Sequence, residues 1–506
     1  MLDPASGNRQ DCAYVWPRRV SPAALDVLAL VLTVGVAAAT RFSWLDLMEF
    51  KGDEAEACRL ALHALGFSEP GVGRFFPTRG LVSSVGVPNP PLFVYLVAIP
   101  LAIVRSPLAA VVLVAAANVA AVAFCYVVGR RCYSRFVGFA AAALWALAPW
   151  AIVFSRKIWA QDLLPICTTL FVLALDAFLV RKRASAAFWL CVLLGVTTQL
   201  HFSAWVLAPV LVGALILGRD RVERRWLALG IAFIALVYAP FLIDHAGEIA
   251  SAAHHHVNTH VPALVSRFTS ALRFTFAIVG GDRMSALLGS QSRLAHPLSI
   301  VLGATALLGT ALAWRSAPTE PIRRLRLLLL VWYVLPLAVL SILPTHDYIH
   351  YFIVITPLPF LGLAYMIERL ATRQAVLGGV ALAACLVAFL VLDIRFFRTV
   401  IHDGGAPGDY GIAYRDKANA VRDILRANPD REVAVGLDRR FRPSRKLRDI
   451  HLLLWNGRLG SGSHTPLLPP THGYVFVDRF TTRLSDAAGS RSYGPLEVVP
   501  IKLAGG

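Results

Sequence analysis

Apolar runs of about 20 residues, the length that crosses a bilayer's hydrocarbon layer, recur along this chain. They fall at 22–40 and near 90–104, 107–129, 136–154, 159–180, 185–200, 202–218, 226–243, 297–314, 326–343, 350–368 and 375–393. Two longer polar stretches interrupt them, 41–89 and 245–296. The first holds a short helical run, Ala55 to Leu65, and the second holds His254-His255-His256. The pattern predicts a polytopic α-helical membrane protein with about 11–13 transmembrane helices. The first run is too long for a signal-peptide core and reads as an uncleaved span.

Basic clusters orient the spans. Arg18-Arg19, Arg130 to Arg135, Arg181-Lys182-Arg183, Arg219 to Arg225, Arg315 to Arg326 and Arg369 to Arg373 read as cytoplasmic. Residues 1–20 are then a cytoplasmic N-terminus, and the polar stretches 41–89 and 245–296 are outer loops. With 41–89 outside and Arg130 inside, 90–130 must cross an odd number of times, although it holds two apolar blocks split by Arg105-Ser106-Pro107. One block is therefore expected only to dip into the membrane or lie along it.

Beyond the membrane region at 21–394 the pattern changes. Residues 395–506 alternate a helical run, Tyr414 to Ala427, with short strand-like runs at 432–436, 474–478 and 496–499, separated by Gly- and Pro-rich turns. A small α/β domain on the outer, periplasmic side is expected.

Composition agrees with the pattern: 57% hydrophobic and 16% charged residues, against roughly 25% charged in soluble chains. A soluble enzyme, a disordered tail, a fibre and an outer-membrane barrel are excluded. The net charge of +18 matches retained cytoplasmic Lys and Arg and attraction to anionic headgroups. No nucleic-acid motif accompanies it. The seven cysteines include no C-x-x-C pair and read as small core residues. His254-His255-His256 with His260 has no acidic partner nearby in sequence and is not read as a metal site. There is no P-loop, G-x-G-x-x-G, H-E-x-x-H or G-x-S-x-G. No essential cofactor is expected.

Chemistry concentrates at the outer turns. Asp53 and Glu54 open a helix after the first span, where the helix N-terminus favours carboxylates. They read either as a general base facing an interfacial cavity or as a capped, solvated helix start. Arg156-Lys157, at a turn between two spans, stands against the charge rule; a guanidinium beside an ammonium suits a phosphate, or the pair snorkels to the interface. His201 lies at a third turn, and His346, Asp347, His350 and Tyr351 at a fourth. These groups line a cavity or belong to an aromatic belt. The Gly-rich run 404–417 reads as a linker opening a helix, or as part of an acceptor site.

The order of these features is informative as a set. Gly52-Asp53-Glu54 is followed by Pro88-Asn89-Pro90-Pro91-Leu92-Phe93-Val94-Tyr95, Val128-Gly129-Arg130-Arg131, Ala148-Pro149-Trp150, Phe154-Ser155-Arg156-Lys157, Gln199-Leu200-His201-Phe202 and His350-Tyr351 before Pro357-Leu358-Pro359. Over residues 20–400 this resembles the GT-C superfamily of integral-membrane glycosyltransferases, in particular the family 39 protein-mannosyltransferase and aminoarabinose-transferase group. The resemblance implies an inverting transferase in the cytoplasmic membrane. It would take a sugar from a polyprenyl-phosphate donor to an acceptor hydroxyl of a glycan, lipid or protein at the outer face.

On that resemblance, Asp53 with Glu54 beside it matches the base for the acceptor. Arg156 with Lys157 matches the cation on the donor phosphate, and His201, His346, Asp347, His350 and Tyr351 match cavity positions. The sequence departs from the group after the acidic pair, reading Ala55-Glu56-Ala57-Cys58 where members often carry an aromatic or basic residue. The competing reading is a transporter or flippase for a lipid-linked or anionic substrate. It would place ionisable groups mid-span.

Overall fold

Serine followed by proline starts two of the long helices. Ser21 accepts the N–H of Ala24 at 3.1 Å and Pro22 occupies the first turn of α1, Pro22–Phe42. Ser106 accepts the N–H of Leu108 at 3.3 Å ahead of Pro107. The computed structural model describes residues 21–69, 72–83, 86–256, 264–289, 295–342, 348–437, 448–459, 472–480 and 489–502.

After α1 come α2 (Gly52–Ala64), α3 (Leu92–Ile103), α4 (Pro107–Cys132), α5 (Arg135–Ala146), α6 (Pro149–Phe154), α7 (Leu164–Leu179), α8 (Ala186–Leu200) and α9 (Leu207–Leu217). They are followed by α10 (Arg224–His256), α11 (Leu264–Gly280), α12 (Met284–Leu288), α13 (Ala295–Arg315), α14 (Glu320–Ile342), α15 (Leu358–Arg373) and α16 (Ala375–Asp403).

Among the described residues, seven helices are long and apolar enough to cross a bilayer: α1, α4, α7 with its leading turn, α10, α13, α14 and α16. The turn Ile349–Ile355 and α15, bent by 62°, make an eighth if taken as one span. The remaining apolar blocks fold as shorter helices: Leu92–Ile103, Arg135–Ala146, Ala186–Leu200 and Phe202–Leu217. A 12-residue helix such as α3 rises roughly 18 Å, well short of a hydrocarbon layer of about 30 Å. The block 90–104 is thus too short to cross as a straight helix. Block length in the sequence overstates helix length where prolines intervene: Pro149 divides 136–154 into α5 and α6. The protein is an integral, multi-pass membrane protein, and large apolar side chains on the outward faces of α1, α10 and α16, such as Val31, Leu236 and Val380, are exposed for lipid.

Helix contacts are made close by small residues. A Cβ at Gly309 of α13 would stand 2.0 Å from the carbonyl oxygen of Gly362 in α15, so only glycine permits this approach. At the basic end, guanidinium groups seal helix termini. Arg221 donates to the Leu179 carbonyl at 3.2 Å, Arg324 to Leu217 at 2.7 Å, and Arg326 to Cys132 at 2.8 Å.

The described residues of the polar stretch 245–296 are mostly helical rather than an irregular loop. α10 continues to His256, and α11 packs on α13 and α14. The polar residues of α11 are spaced so that one face is largely apolar: Ala271, Phe274 and Ile278 are buried, with Thr275 donating its hydroxyl to the Ala271 carbonyl at 2.8 Å.

The opposite end carries the C-terminal region. A β-bridge ribbon of β1 (Gly405–Ala406) and β2 (Gly411–Ile412) leads into α17 (Tyr414–Ala427), then β3 (Ala434–Leu437), α18 (Arg448–Leu459), β4 (His472–Asp478), β5 (Arg491–Tyr493) and β6 (Leu496–Lys502). The sheet order is β3-β4-β6-β5, with β3 parallel to β4 and the other pairs antiparallel. This small α/β unit docks on the first polar segment. Tyr410 donates to the Leu47 carbonyl at 2.5 Å, Lys417 to Phe50 at 2.6 Å, and the Trp455 indole to Ser68 at 3.1 Å.

Candidate active site

The segment joining α1 to α2 is held from both sides. On one side, Arg156 follows α6 and sends its guanidinium back under the end of α1. It donates to the carbonyls of Arg41 at 3.3 Å and Trp44 at 2.6 Å, and also to that of Ser43. The Arg41 carbonyl is one of the acceptors that a helix C-terminus leaves open. The Phe397 ring lies 5.1 Å from the same guanidinium. Arg156 is 3% exposed, and its two terminal nitrogens are committed to the backbone.

Lys157, the next residue, points into a different environment. Its ammonium lies 2.8 Å from Glu49 and 3.4 Å from the centre of the Trp159 ring. Glu49 also meets Lys51 at 2.5 Å. Burial works against both charges of the Glu49–Lys157 pair, but mutual attraction prevails. Glu49 is held below the usual carboxylate range by Lys157 and Lys51, and Lys157 is raised by Glu49 and Glu54.

Glu54 is the third member. At the third position of α2 it accepts the N–H of Lys51 at 3.0 Å, and its other carboxylate oxygen has no hydrogen-bond partner. Burial pushes its carboxyl up; Lys157 pulls it down, Glu49 opposes that pull, and the balance lies at about 7. Asp53, one residue earlier, is exposed at the first turn of α2. The adjacent acids therefore sit in contrasting surroundings, one solvated and one in the protein.

Asp162 completes the cluster. It is fully buried, neither carboxylate oxygen has a hydrogen bond, and Lys157, Glu54 and Glu49 are its electrostatic neighbours. Asn118 of α4 fixes its backbone by donating to the Asp162 carbonyl at 2.8 Å.

His201 and His350 form the adjoining wall. The Ser203 N–H donates to His201 Nδ1 at 3.2 Å, which makes Nδ1 an acceptor and leaves the proton on Nε2. Burial lowers His201 to about 3, so it is a neutral donor rather than a cation. The His350 ring lies 5.2 Å from Trp159 and 6.4 Å from His201, and the buried Tyr351 ring lies 5.9 Å from His201. His350 is within electrostatic range of Lys157.

The structure thus gathers Glu54, Lys157, His201, His350 and Tyr351 at one end of the bundle, with Asp53 at the solvent side of α2. It directs Arg156 away, into the base of the loop. His346, Asp347, His260 and the side chains of His254-His255-His256 lie outside what is described. Among the described residues no group of three or more His, Cys, Asp or Glu side chains is arranged to hold a metal.

Glu49, Lys51 and Asp162 were not legible as site residues. Glu49 sits between Met48 and Phe50, both fully buried. A lone acid flanked by apolar residues was the available signal there. Asp162, within Ala160-Gln161-Asp162-Leu163-Leu164, follows a glutamine and precedes two leucines.

Residues 88–243 match the family described as dolichyl-phosphate-mannose-protein mannosyltransferase. No curated protein sequence matches the chain. Among solved structures, the fold is similar to that of ArnT from Cupriavidus metallidurans bound to undecaprenyl phosphate, with a TM-score of 0.56 at 13% identity. That match covers 96% of this chain and 99% of that one. The apo state of the same protein gives a TM-score of 0.55 at 14% identity, covering 94% and 98%. The archaeal oligosaccharyltransferase AglB from Archaeoglobus fulgidus, in complex with an inhibitory peptide and a dolichol-phosphate, gives 0.50 at 14% identity. There the match covers 88% of this chain and 64% of AglB. With its helical membrane bundle, the small sheet at one end and the matched segment 88–243, the chain is a GT-C-fold membrane protein that resembles the family 39 protein-mannosyltransferase and aminoarabinose-transferase group.

Proposed function

We propose that this protein is an inverting glycosyltransferase that takes a sugar from a polyprenyl-phosphate donor to an acceptor hydroxyl. In this reading the cluster and the C-terminal region lie on the outer face of the cytoplasmic membrane, and the basic clusters face the cytoplasm. The observation that carries it is the buried Glu49–Lys157 pair with Glu54 poised at about 7 beside it, at the foot of the exposed Asp53, within a GT-C fold.

Each residue has a role set by its surroundings. Asp53, solvated and at a helix N-terminus, is the base that an incoming hydroxyl can reach. The acceptor oxygen attacks the anomeric carbon opposite the phosphate, its proton passes to Asp53, and the carbon–oxygen bond to phosphate breaks. The departing polyprenyl phosphate needs fixed positive charge, and Lys157 with Lys51 supplies it. Arg156 holds the loop that carries Glu49 and Lys51, so it positions rather than binds. Glu54, protonated or not, sets the net charge around Lys157. His201 offers its Nε2–H, and His350 with Tyr351 walls the cavity.

The test uses protein reconstituted in sealed vesicles with polyprenyl-phosphate mannose labelled in the sugar. Expected is release of polyprenyl phosphate that Asp53→Asn abolishes while thermal melting stays as in the wild type. Movement of label across the bilayer with the sugar–phosphate bond intact would instead make the protein a flippase and refute the proposal.

A further inference from the structure

A cavity of about 450 Å³ opens where α16 ends. That is the size of a small-molecule site. It is lined by Asp403 at the end of α16, Arg415 and Asp416 at the start of α17, Arg479 and Phe480 after β4, and Pro495 at the β5–β6 turn. Four stretches of chain thus converge on it.

Its chemistry is mixed in a specific way. Two guanidinium groups provide donors, two carboxylates provide acceptors, and the half-buried Phe480 ring with Pro495 provides an apolar face. The formal charges of the two arginines and two aspartates cancel, and His402, also in the lining, lies 2.6 Å from Asp403; a phosphate brought to Arg415 would also meet Asp416. A hydroxyl both donates and accepts, and a sugar ring also presents C–H groups to an aromatic face. Asp416 adds an independent observation. It is 6% exposed, one carboxylate oxygen lies 3.5 Å from Arg415, and the other is buried without a hydrogen-bond partner.

The cavity is coupled to the reactive cluster through one segment. Ala413 bridges Glu49, the Tyr414 N–H donates to the Met48 carbonyl at 3.0 Å, and Arg415 lies 3.9 Å from Asp46. Residues 46–50 therefore contact the start of α17 and also supply the partner of Lys157.

We propose that this cavity is an acceptor subsite for a neutral saccharide, so that the acceptor is a glycan; the acceptor role rests on the glycosyltransferase reading above. Phe480 and Pro495 carry the ring, Arg415 and Arg479 donate to its hydroxyls, and Asp403 and Asp416 accept from them.

The experiment uses full-length protein in nanodiscs free of glycoside detergent. Saturation-transfer NMR is recorded with methyl α-D-mannopyranoside as the probe and inorganic phosphate as competitor. Expected is transfer to the sugar ring protons, unaffected by phosphate, with apparent affinity at least about tenfold weaker in Phe480→Ala and Arg479→Gln. Transfer absent from the wild type, equal in the variants, or abolished by phosphate would overturn the subsite.

A photoreactive mannoside on the wild type makes the result independent of variant folding. Labelling in 402–416, at 479–480 or at 494–495 supports the site, and labelling only elsewhere overturns it. Donor cleavage in the same preparations separates the two proposals. Cleavage without sugar binding overturns the subsite and leaves the transferase reading standing; sugar binding without cleavage overturns the acceptor role.

Discussion

Replacing Glu54 with glutamine removes one proton-binding group from the centre of the cluster and keeps its shape. The amide oxygen can still accept the Lys51 N–H that Glu54 accepts at 3.0 Å. Raising this carboxyl from 4.5 to about 7 corresponds to roughly 3 kcal/mol against the charged form at about 1.4 kcal/mol per unit. The sign follows from which state holds the proton. Between about 4.5 and 7 the folded chain keeps a proton that the unfolded chain has lost, so this group's contribution to stability falls as pH rises through that window and is constant above it.

Function responds to the same ionisation. A new negative charge roughly 10 Å from the donor phosphate, at an effective dielectric of about 20, costs about 1.7 kcal/mol, or some 15-fold. Donor KM in the wild type is therefore expected to rise by about that factor as pH passes through 7, while Glu54→Gln shows no such rise. The assay is donor cleavage across pH together with infrared difference spectroscopy of the carboxyl band that the variant lacks. Neighbouring substitutions supply opposite signs: Glu49→Gln frees Lys157 and moves the Glu54 midpoint down, whereas Lys157→Met moves it up. A Glu54 band titrating near 4.5, or matching KM profiles in wild type and variant, would refute the reasoning.

Other outcomes follow from the same contacts. Arg156→Gln strips donors from the carbonyls of residues 41, 43 and 44. At about 1–3 kcal/mol for each buried acceptor left unmade, it is expected to lower the melting temperature; Lys157→Gln breaks the buried pair with Glu49, is expected to lower it as well, and lowers donor cleavage in the protein that remains folded. Lys417→Met breaks a buried ion pair of 2.5 Å with Asp449. A loss of about 3–5 kcal/mol should appear as faster proteolysis of the C-terminal region. Gly404→Ala and Gly494→Ala each combine a left-handed backbone, φ 67° and 54°, with a Cβ 2.4 Å from an Asp416 carboxylate oxygen. Both are expected to destabilise by more than about 1 kcal/mol, read as a lower melting temperature. Asp162→Asn keeps volume and removes a proton-binding group from Lys157's surroundings; its expected effect is a changed pH profile of donor cleavage.

Apolar block length alone determined that this chain is a helical membrane protein, because about 20 apolar residues have no other stable place. Polar punctuation likewise determined the helix at Tyr414–Ala427 and the strands containing 474–478 and 496–499, since these are local patterns. Local pattern also located the acidic pair and the cationic turn. It did not decide which of two adjacent residues faces the cluster. Arg156 and Lys157 differ by one step in sequence, yet one closes the end of α1 and the other pairs with Glu49.

Nor did pattern reveal Glu49, Lys51 or Asp162, or that the described part of 245–296 is largely helical. Those outcomes depend on which elements are packed alongside: Phe397 beneath Arg156, α13 and α14 against α11. The charge state of Glu54 is tertiary for the same reason. Its carboxyl is ordinary in an exposed helix start, and only burial beside an already paired lysine moves it to about 7.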